Sequence, residues 1–272
     1  MPRPTDLRDA LLVKPGSRVR LATLDPAATY GFDKVSAGPI ITERLDQLSS
    51  LQDRLWAEGK RSVLVVLQGI DAAGKDGTIN KVMEAFNPQG CTVSSFKVPT
   101  SEELGHDFLW RIHKRTPHDG EIGIFNRSHY EDVLVVRVHH IVPRSVWSKR
   151  YDQINAFEQT LAEGGTTIVK FFLSIDRDEQ RDRFQARFDD PTKRWKFSLG
   201  DLEERKHWID YQAAFDEALS KTSTHWAPWY VIPANRKWFR NLAVASILAD
   251  TLAGLRPKYP SPPDLPADLV IE

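Results

Sequence analysis

A chain of 272 residues is long enough to bury a sizeable core, and one large α/β domain with extensions accounts for that length without invoking two domains. Its 37 Lys plus Arg are balanced by 37 Asp plus Glu, so no global basic excess marks it for nucleic acid or a membrane surface, and any anion-binding surface must be local. The single Cys91 excludes an internal disulfide framework and a multi-cysteine metal site, and no apolar run reaches the length of a signal peptide or a membrane span, which leads us to expect a soluble protein of the reducing cytoplasm.

In chain order, residues 1–40 are punctuated by Pro and Gly and read as an extension, a wrapping or oligomer arm; an amphipathic helix is expected at 41–58. SVLVVLQ (62–68) is the first of five short apolar runs rich in β-branched and aromatic residues, the pattern of buried strands. The helical stretch DGTINKVMEAF follows it and ends at the turn NPQG. The second run is CTVSSF (91–96), followed by SEELGHDFLWRIHKR, a helix opened by Thr100 or Ser101 and ended before Pro117. IGIFN (122–126), TTIVKFFLSI (166–175) and WYVIP (229–233) complete the set. A charged helix starts at 176 and breaks at Asp190-Pro191, while the tail YPSPPDLPADLVIE is too Pro-rich for a core. The alternation of strand and helix predicts a mostly parallel sheet covered by helices on both faces, with ligands beyond the carboxyl ends of the strands.

Three such ends carry chemistry. Between the first strand and its helix, GIDAAGKDGT (69–78) matches G-x-x-x-x-G-K at Gly69, Gly74 and Lys75, in the strand-to-helix context that gives this pattern meaning. Glycines let successive backbone N–H groups face an anion, the helix adds the positive end of its dipole, and the lysine reaches terminal phosphates. The plain alternative is a Gly-rich turn with an exposed Lys. After Lys75 stands Asp76, which cannot supply the hydroxyl that usually touches Mg²⁺. Asp71 would repel phosphate unless a divalent cation lay between them, which argues for a metal role, although a solvent-facing turn Asp would look the same.

The third strand ends in Asn126, Arg127 and Ser128, with Glu131 and Asp132 behind them. Arg127 can meet a phosphate with a planar donor fork; Asn126 offers only a carbonyl oxygen, so Glu131 or Asp132 would share a metal. Ser128 capping a helix, with the acids in its first turn, explains the same residues structurally. After the fourth strand, KRWKFS sets Lys193, Arg194 and Lys196 around Trp195, either a lid over polyanions or an exposed basic turn anchored by the Trp. Adjacent His139 and His140 point two ways and read as ordinary histidines, and no Cys, Ser or Thr has an evident His base nearby, which weakens a nucleophilic hydrolase.

Together these clusters resemble polyphosphate kinase family 2, and within it the class III enzymes that use both nucleoside mono- and diphosphates. VLVVLQGIDAAGKDGTI, FNRSHYEDVLVVRV, KRWKFSLGDLEERKHW and APWYVIPANRKWFRN occur in the family's order over nearly all the chain. The resemblance implies a three-layer α/β/α sandwich of the P-loop kinase type: a parallel five-stranded sheet in a catalytic domain at 41–256, with a helical lid at about 177–210 and a tail at 257–272. It implies reversible, Mg²⁺-dependent transfer (Mn²⁺ as a substitute) of the terminal phosphoryl group of inorganic polyphosphate to AMP, ADP, GMP or GDP. Polyphosphate and purine nucleotides are then the partners of a homodimer or homotetramer, without nucleic acid or membrane. By the same resemblance Asp71 serves metal and catalysis, and Lys75 and Arg127 serve phosphate. Gly69, Ala72, Ala73, Gly74, Asp76, Gly77, Thr78 and Ser128 line the phosphate and nucleotide site, and Lys193, Arg194, Trp195 and Lys196 belong to the lid. Asn126 stands where other members have Asp, which leaves Glu131 or Asp132 to complete the metal contact. Two rivals remain: an ATP-dependent nucleoside monophosphate kinase, and a nucleotide-binding protein without turnover. Against a guanine switch, Asn235-Arg236-Lys237-Trp238 lacks the Asp of N-K-x-D.

Overall fold

The computed structural model describes residues 6–263, so the Pro-rich tail lies outside the described residues from 264 onward. In chain order the elements are α1 (Leu7–Leu11), α2 (Lys34–Glu58), β1 (Ser62–Gln68), α3 (Lys75–Val82), β2 (Cys91–Ser95), α4 (Ser101–Leu104), α5 (Trp110–His113), β3 (Ile122–Asn126), α6 (Val135–Val138), α7 (Arg144–Glu163), β4 (Thr166–Ser174), α8 (Arg177–Asp189), α9 (Leu199–Lys206), α10 (Trp208–Thr222), β5 (Trp229–Pro233) and α11 (Lys237–Leu255).

All five strands are parallel, in the order β2-β3-β1-β4-β5. Helices α2, α3 and α11 cover one face and α7 with α10 the other, giving the three-layer α/β/α sandwich. β1 is buried along its whole length, as a run of Val and Leu flanked by two parallel neighbours should be. Its partners leave in opposite directions, β3 toward one edge and β4 toward the other, so β1 marks the switch point, where a crevice opens beyond the carboxyl ends. Leu67 of β1 pairs with Asn126 of β3, which brings the loop at 69–74 beside the turn that starts at Arg127.

Four local expectations are corrected. The first long helix starts at Lys34, not 41, because the Asp33 carboxylate accepts the N–H groups of Val35 and Ser36 at 2.8 and 3.0 Å. Pro39 is tolerated because the carbonyl it deprives of a partner, that of Val35, lies in an exposed first turn. The segment 101–115 folds as two single turns: α4 is opened by a capping box between Thr100 and Glu103 and stops at Gly105, and the Asp107 carboxylate then takes the N–H of Leu109. β2, expected buried, is an edge strand with Val93 half exposed. The helix expected to reach Phe86 is α-helical only to Val82 and finishes as a 3-10 turn at Met83–Ala85.

The extension before the sheet is built into the core. Leu7, Leu11, Val13 and Leu21 are buried, the Val13 N–H donates to the Trp229 carbonyl at 2.9 Å, and Leu12 bridges antiparallel to Tyr230, covering the edge of β5. No helix among the described residues is long and apolar enough to cross a membrane.

Candidate active site

The loop between β1 and α3 is shaped by three residues with left-handed backbone: Gly69 at φ 155°, Ala72 at 64° and Gly74 at 108°. Two are glycines of necessity. A Cβ on Gly69 would stand 2.9 Å from the Leu173 carbonyl, and one on Gly74 would stand 2.0 Å from a guanidinium nitrogen of Arg240. Gly74 also heads α3 without a capping side chain, so the first amides of that helix face outward with nothing of their own to bind them. Ala73 and Thr78 are buried, Thr78 returning its hydroxyl to the Gly74 carbonyl at 3.1 Å, while Gly77 lies against Arg240.

The ammonium of Lys75 is buried and donates to the carbonyls of Gly69 at 2.7 Å and Ile70 at 3.4 Å. Burial, with Arg127 close by, pushes its pKa down to about 8, against the pull of Asp71, Glu131 and Asp76. Arg127 itself sits at φ 62°, a left-handed conformation that costs a residue with a Cβ about 1–2 kcal/mol. Its guanidinium joins Asp71 of the loop on one side and Glu131 at 3.5 Å on the other. Burial works against its charge, but Glu131 and Asp71 outweigh burial and raise its pKa.

The two unusual residues of the site are partners: the Asn126 amide donates to the Asp76 carboxylate at 2.8 Å. An Asp at 126 would set two carboxylates against each other there. Ser128 is buried; it caps the turn at His129–Asp132 and accepts from Gln68 at 3.2 Å. Of the two acids offered as alternates for a metal, Glu131 joins Arg127, whereas Asp132 is turned to Arg150 of α7 at 3.0 Å. Burial pushes the Asp132 pKa up to about 6 even with Arg150 and Arg111 nearby, so its geometry is that of an anchor for the turn. Among the described residues no three acidic, His or Cys side chains are grouped to hold a metal by themselves. Mg²⁺ needs no such cage, since it is commonly held by one or two carboxylates together with waters and phosphate oxygens. Asp71, with Glu131 beside the same guanidinium, meets that demand.

The sequence reading missed how the segment expected as a lid is rooted. Gln180 of α8 donates to the Asp71 carbonyl at 2.9 Å, and Arg183 donates to the carbonyls of Ala72 and Ala73 at 2.9 and 2.8 Å. The same guanidinium reaches the carbonyls of Ala234 and Asn235 after β5. Spacing held a signal: Gln180, Arg183, Phe184 and Arg187 fall on one face of an otherwise charged helix. Arg240 was missed as well. It is the one cation in the apolar run 238–252, buried against Gly74 and Gly77, and burial, with Arg183 nearby, pushes its pKa down to about 10.

Among the described residues, the basic stretch expected at the tip of the lid is held only by its own neighbours. Lys193, Arg194, Trp195 and Lys196 are exposed around a 3-10 turn, with Lys193 paired to Asp190 at 2.5 Å and Lys196 over the Trp195 ring at 5.1 Å. Trp195 is 76% exposed and tied only within the turn, its ring N–H donating to the Thr192 carbonyl at 3.1 Å, while Phe197 packs edge-on to Phe184 and Phe188. The returning limb comes closer, with Asp201 of α9 near enough to Asp71 and Arg127 for their charges to act on it. His139 pairs with Glu204 of α9 at 3.0 Å.

Comparison with known proteins fits this geometry. The family described as Polyphosphate kinase 2 (PPK2) matches residues 40–260. An AMP/ADP-polyphosphate phosphotransferase of Meiothermus ruber is 53% identical over 262 residues, 96% of this chain and 98% of its own. An ADP-polyphosphate phosphotransferase of Rhodopseudomonas palustris is 48% identical over 233 residues, 81% of each chain. The crystal structure of polyphosphate kinase 2 from Arthrobacter aurescens superposes with a TM-score of 0.91 at 43% identity, over 98% of this chain and 94% of that one. A strand-to-helix phosphate loop, an arginine facing it across the switch point and this breadth of likeness lead to one conclusion: the chain belongs to the polyphosphate kinase 2 family.

Proposed function

We propose that the protein is a polyphosphate:AMP/ADP phosphotransferase that moves the terminal phosphoryl group of inorganic polyphosphate onto nucleoside mono- and diphosphates, GMP and GDP among them, with Mg²⁺ as cofactor and Mn²⁺ able to replace it. The observation that carries this reading is the meeting of Lys75, Asp71 and Arg127 beyond the carboxyl ends of β1 and β3.

In the transfer, a terminal phosphate oxygen of the nucleotide attacks the end phosphorus of the polymer. The bond from that phosphorus to the bridging oxygen breaks, and the oxygen stays with a polymer one unit shorter. An anionic phosphate oxygen needs no base at neutral pH, so the residues serve charge neutralisation, alignment and exclusion of water. The amides of 69–78 and the Lys75 ammonium hold the phosphates of one substrate. Arg127, already fixed between two carboxylates, faces the group in transit. Asp71, with Glu131 and the Asn126 carbonyl oxygen at hand, would hold Mg²⁺; that ion supplies positive charge to the phosphate oxygens when bound. Lys193, Arg194, Trp195 and Lys196 extend the cationic surface along the polymer.

We assign residues 41–256 to the catalytic unit, the cytoplasm as its location, and a homodimer or homotetramer as its state; light scattering after gel filtration tests the last. The enzymatic test supplies AMP, ADP, GMP or GDP with Mg²⁺ and polyphosphate as sole donor. Phosphorylated products are expected. Product formed only when ATP is added would instead identify an ordinary monophosphate kinase, and binding without product a protein with no turnover.

A further inference from the structure

Behind the site, the core holds a charged cluster that the transfer never touches. Lys170 of β4 and Glu158 of α7 are both fully buried and paired, Nζ to Oε2, at 2.5 Å. The ammonium gives its other protons to the Tyr130 hydroxyl and the Thr222 carbonyl, each at 2.7 Å, and the Tyr130 hydroxyl donates to Glu158 Oε1 at 2.8 Å. His129 Nε2 lies 3.1 Å from the same carboxylate oxygen, while its Nδ1 is buried without a hydrogen-bond partner among the described residues. The imidazole therefore has a single polar tie, and that tie is Glu158. Since Glu158 is an acceptor, the imidazole N–H is the donor of that tie. Glu158 is opposed by burial, but Lys170 and His129 keep its pKa low.

A buried ion pair is a poor device for stability, because removing two charges from water commonly cancels their attraction, and apolar residues of equal volume serve as well. Connectivity gives this one a use. Besides Lys170, the two residues that reach Glu158 are consecutive, and they follow Arg127 by two and three positions. Arg127 has a conformation that a residue with a Cβ does not favour, and it keeps it only while the turn behind is pinned. The pins are Ser128 to Gln68, Asp132 to Arg150, and His129 with Tyr130 to Glu158, the last two ending on α7.

We propose that the buried Lys170–Glu158 pair is a positioning device for phosphoryl transfer: through His129 and Tyr130 it locks the turn that aims the Arg127 guanidinium. The proposal rests on the assignment of Arg127 to phosphate. Glu158 is the hub, Lys170 keeps the hub ionised, and none of the four side chains touches substrate.

His129→Leu and Tyr130→Phe each cut one tie and leave the ion pair whole. Their kcat with ADP, Mg²⁺ and polyphosphate, followed by luciferase, is to be compared in the wild-type and Arg127→Ala backgrounds, together with near-ultraviolet circular dichroism and Tm. With the fold intact, His129→Leu is expected to lower kcat about tenfold or more and Tyr130→Phe severalfold, with less change in KM, since a small misplacement of an aligned group costs up to about 10²-fold. His129→Gln, whose amide can donate to Glu158, should recover most of the loss. In the Arg127→Ala background both losses should vanish, because there is no guanidinium left to aim. Wild-type kcat in both variants, equal losses in both backgrounds, or failure of both to fold would each overturn the proposal. Full activity in Arg127→Ala alone would instead remove Arg127 from the site and fail the proposed function itself.

Discussion

Two sets of lysines to which we assign phosphate sit in opposite surroundings. Lys75 is enclosed by its own loop, bonded to two carbonyls and stripped of water, so its charge is held at a cost that a phosphate relieves. Lys193 and Lys196 stand in solvent at the tip of the lid, beside an Asp and a Trp ring, where salt screens them and many arrangements cost the same. The first arrangement fixes one phosphate at one place. The second suits a chain of repeating units, any of which can lie against it.

The largest break in that contrast should come from Lys75→Ala or Arg127→Ala. Removing one preorganised donor from a site of this type costs about 10²–10³-fold in rate, and ATP formation from ADP and polyphosphate should fall by that much in each. Wild-type rates in Lys75→Ala would defeat the assignment of the loop. Next comes pH. Burial, with Arg127 nearby, pushes the Lys75 pKa down to about 8, and the negative charge of a bound phosphate would favour the protonated form. Affinity is therefore full below about 8, and KM for the substrate whose phosphates the loop holds should rise up to about tenfold per pH unit above it until the bound form titrates in turn. Arg127, with its pKa raised, adds nothing in that window. A KM that stays flat from pH 7 to 9.5 would show that the Lys75 ammonium is not gripping the substrate.

Smaller effects sharpen the other half of the comparison. Lys196→Ala or Lys193→Ala should raise KM for long polyphosphate only about two- to fivefold, as expected for exposed charges, and the difference should shrink with added salt. A loss as large as that of Lys75→Ala would move the chemistry into the lid tip. His139→Ala should be the mildest: its pair with Glu204 is partly exposed, so activity within about twofold of wild type and at most about 1 kcal/mol of stability lost, by thermal melting, is the expected result.

What the sequence disclosed of this site follows the range of each interaction. Gly69, Gly74 and Lys75 were readable because a strand, a short loop and a helix lie within a few residues of one another and the pattern carries its own geometry; Arg127 was readable because an apolar strand ends abruptly in polar residues there. The same locality exposed the five strands and their parallel order of layers. Arg183 was not readable, since it binds a carbonyl 111 residues away and looks like one more charge on a solvated helix. Arg240 hid in an apolar helix for the same reason. Asp132 and Glu131 were indistinguishable as neighbours in a motif; only the placement of Arg150 on α7 separates them. The helix at 101–115 failed on a local contest, where a glycine and an Asp side chain offered the backbone a better bond than the next helical turn.

The bonds from Arg183 to both the loop and the corner after β5 have a mechanical corollary. They weld the first two turns of α8 to the floor of the site, so that half of the helix cannot swing without tearing several hydrogen bonds at once. For the proposed lid, that places the hinge farther out, near Asp190-Pro191, and reduces the moving part to a small flap carrying Trp195 and its cations. In the proposed reaction, a flap of that size would release the polymer for its next unit while the cradle beneath it stayed in place.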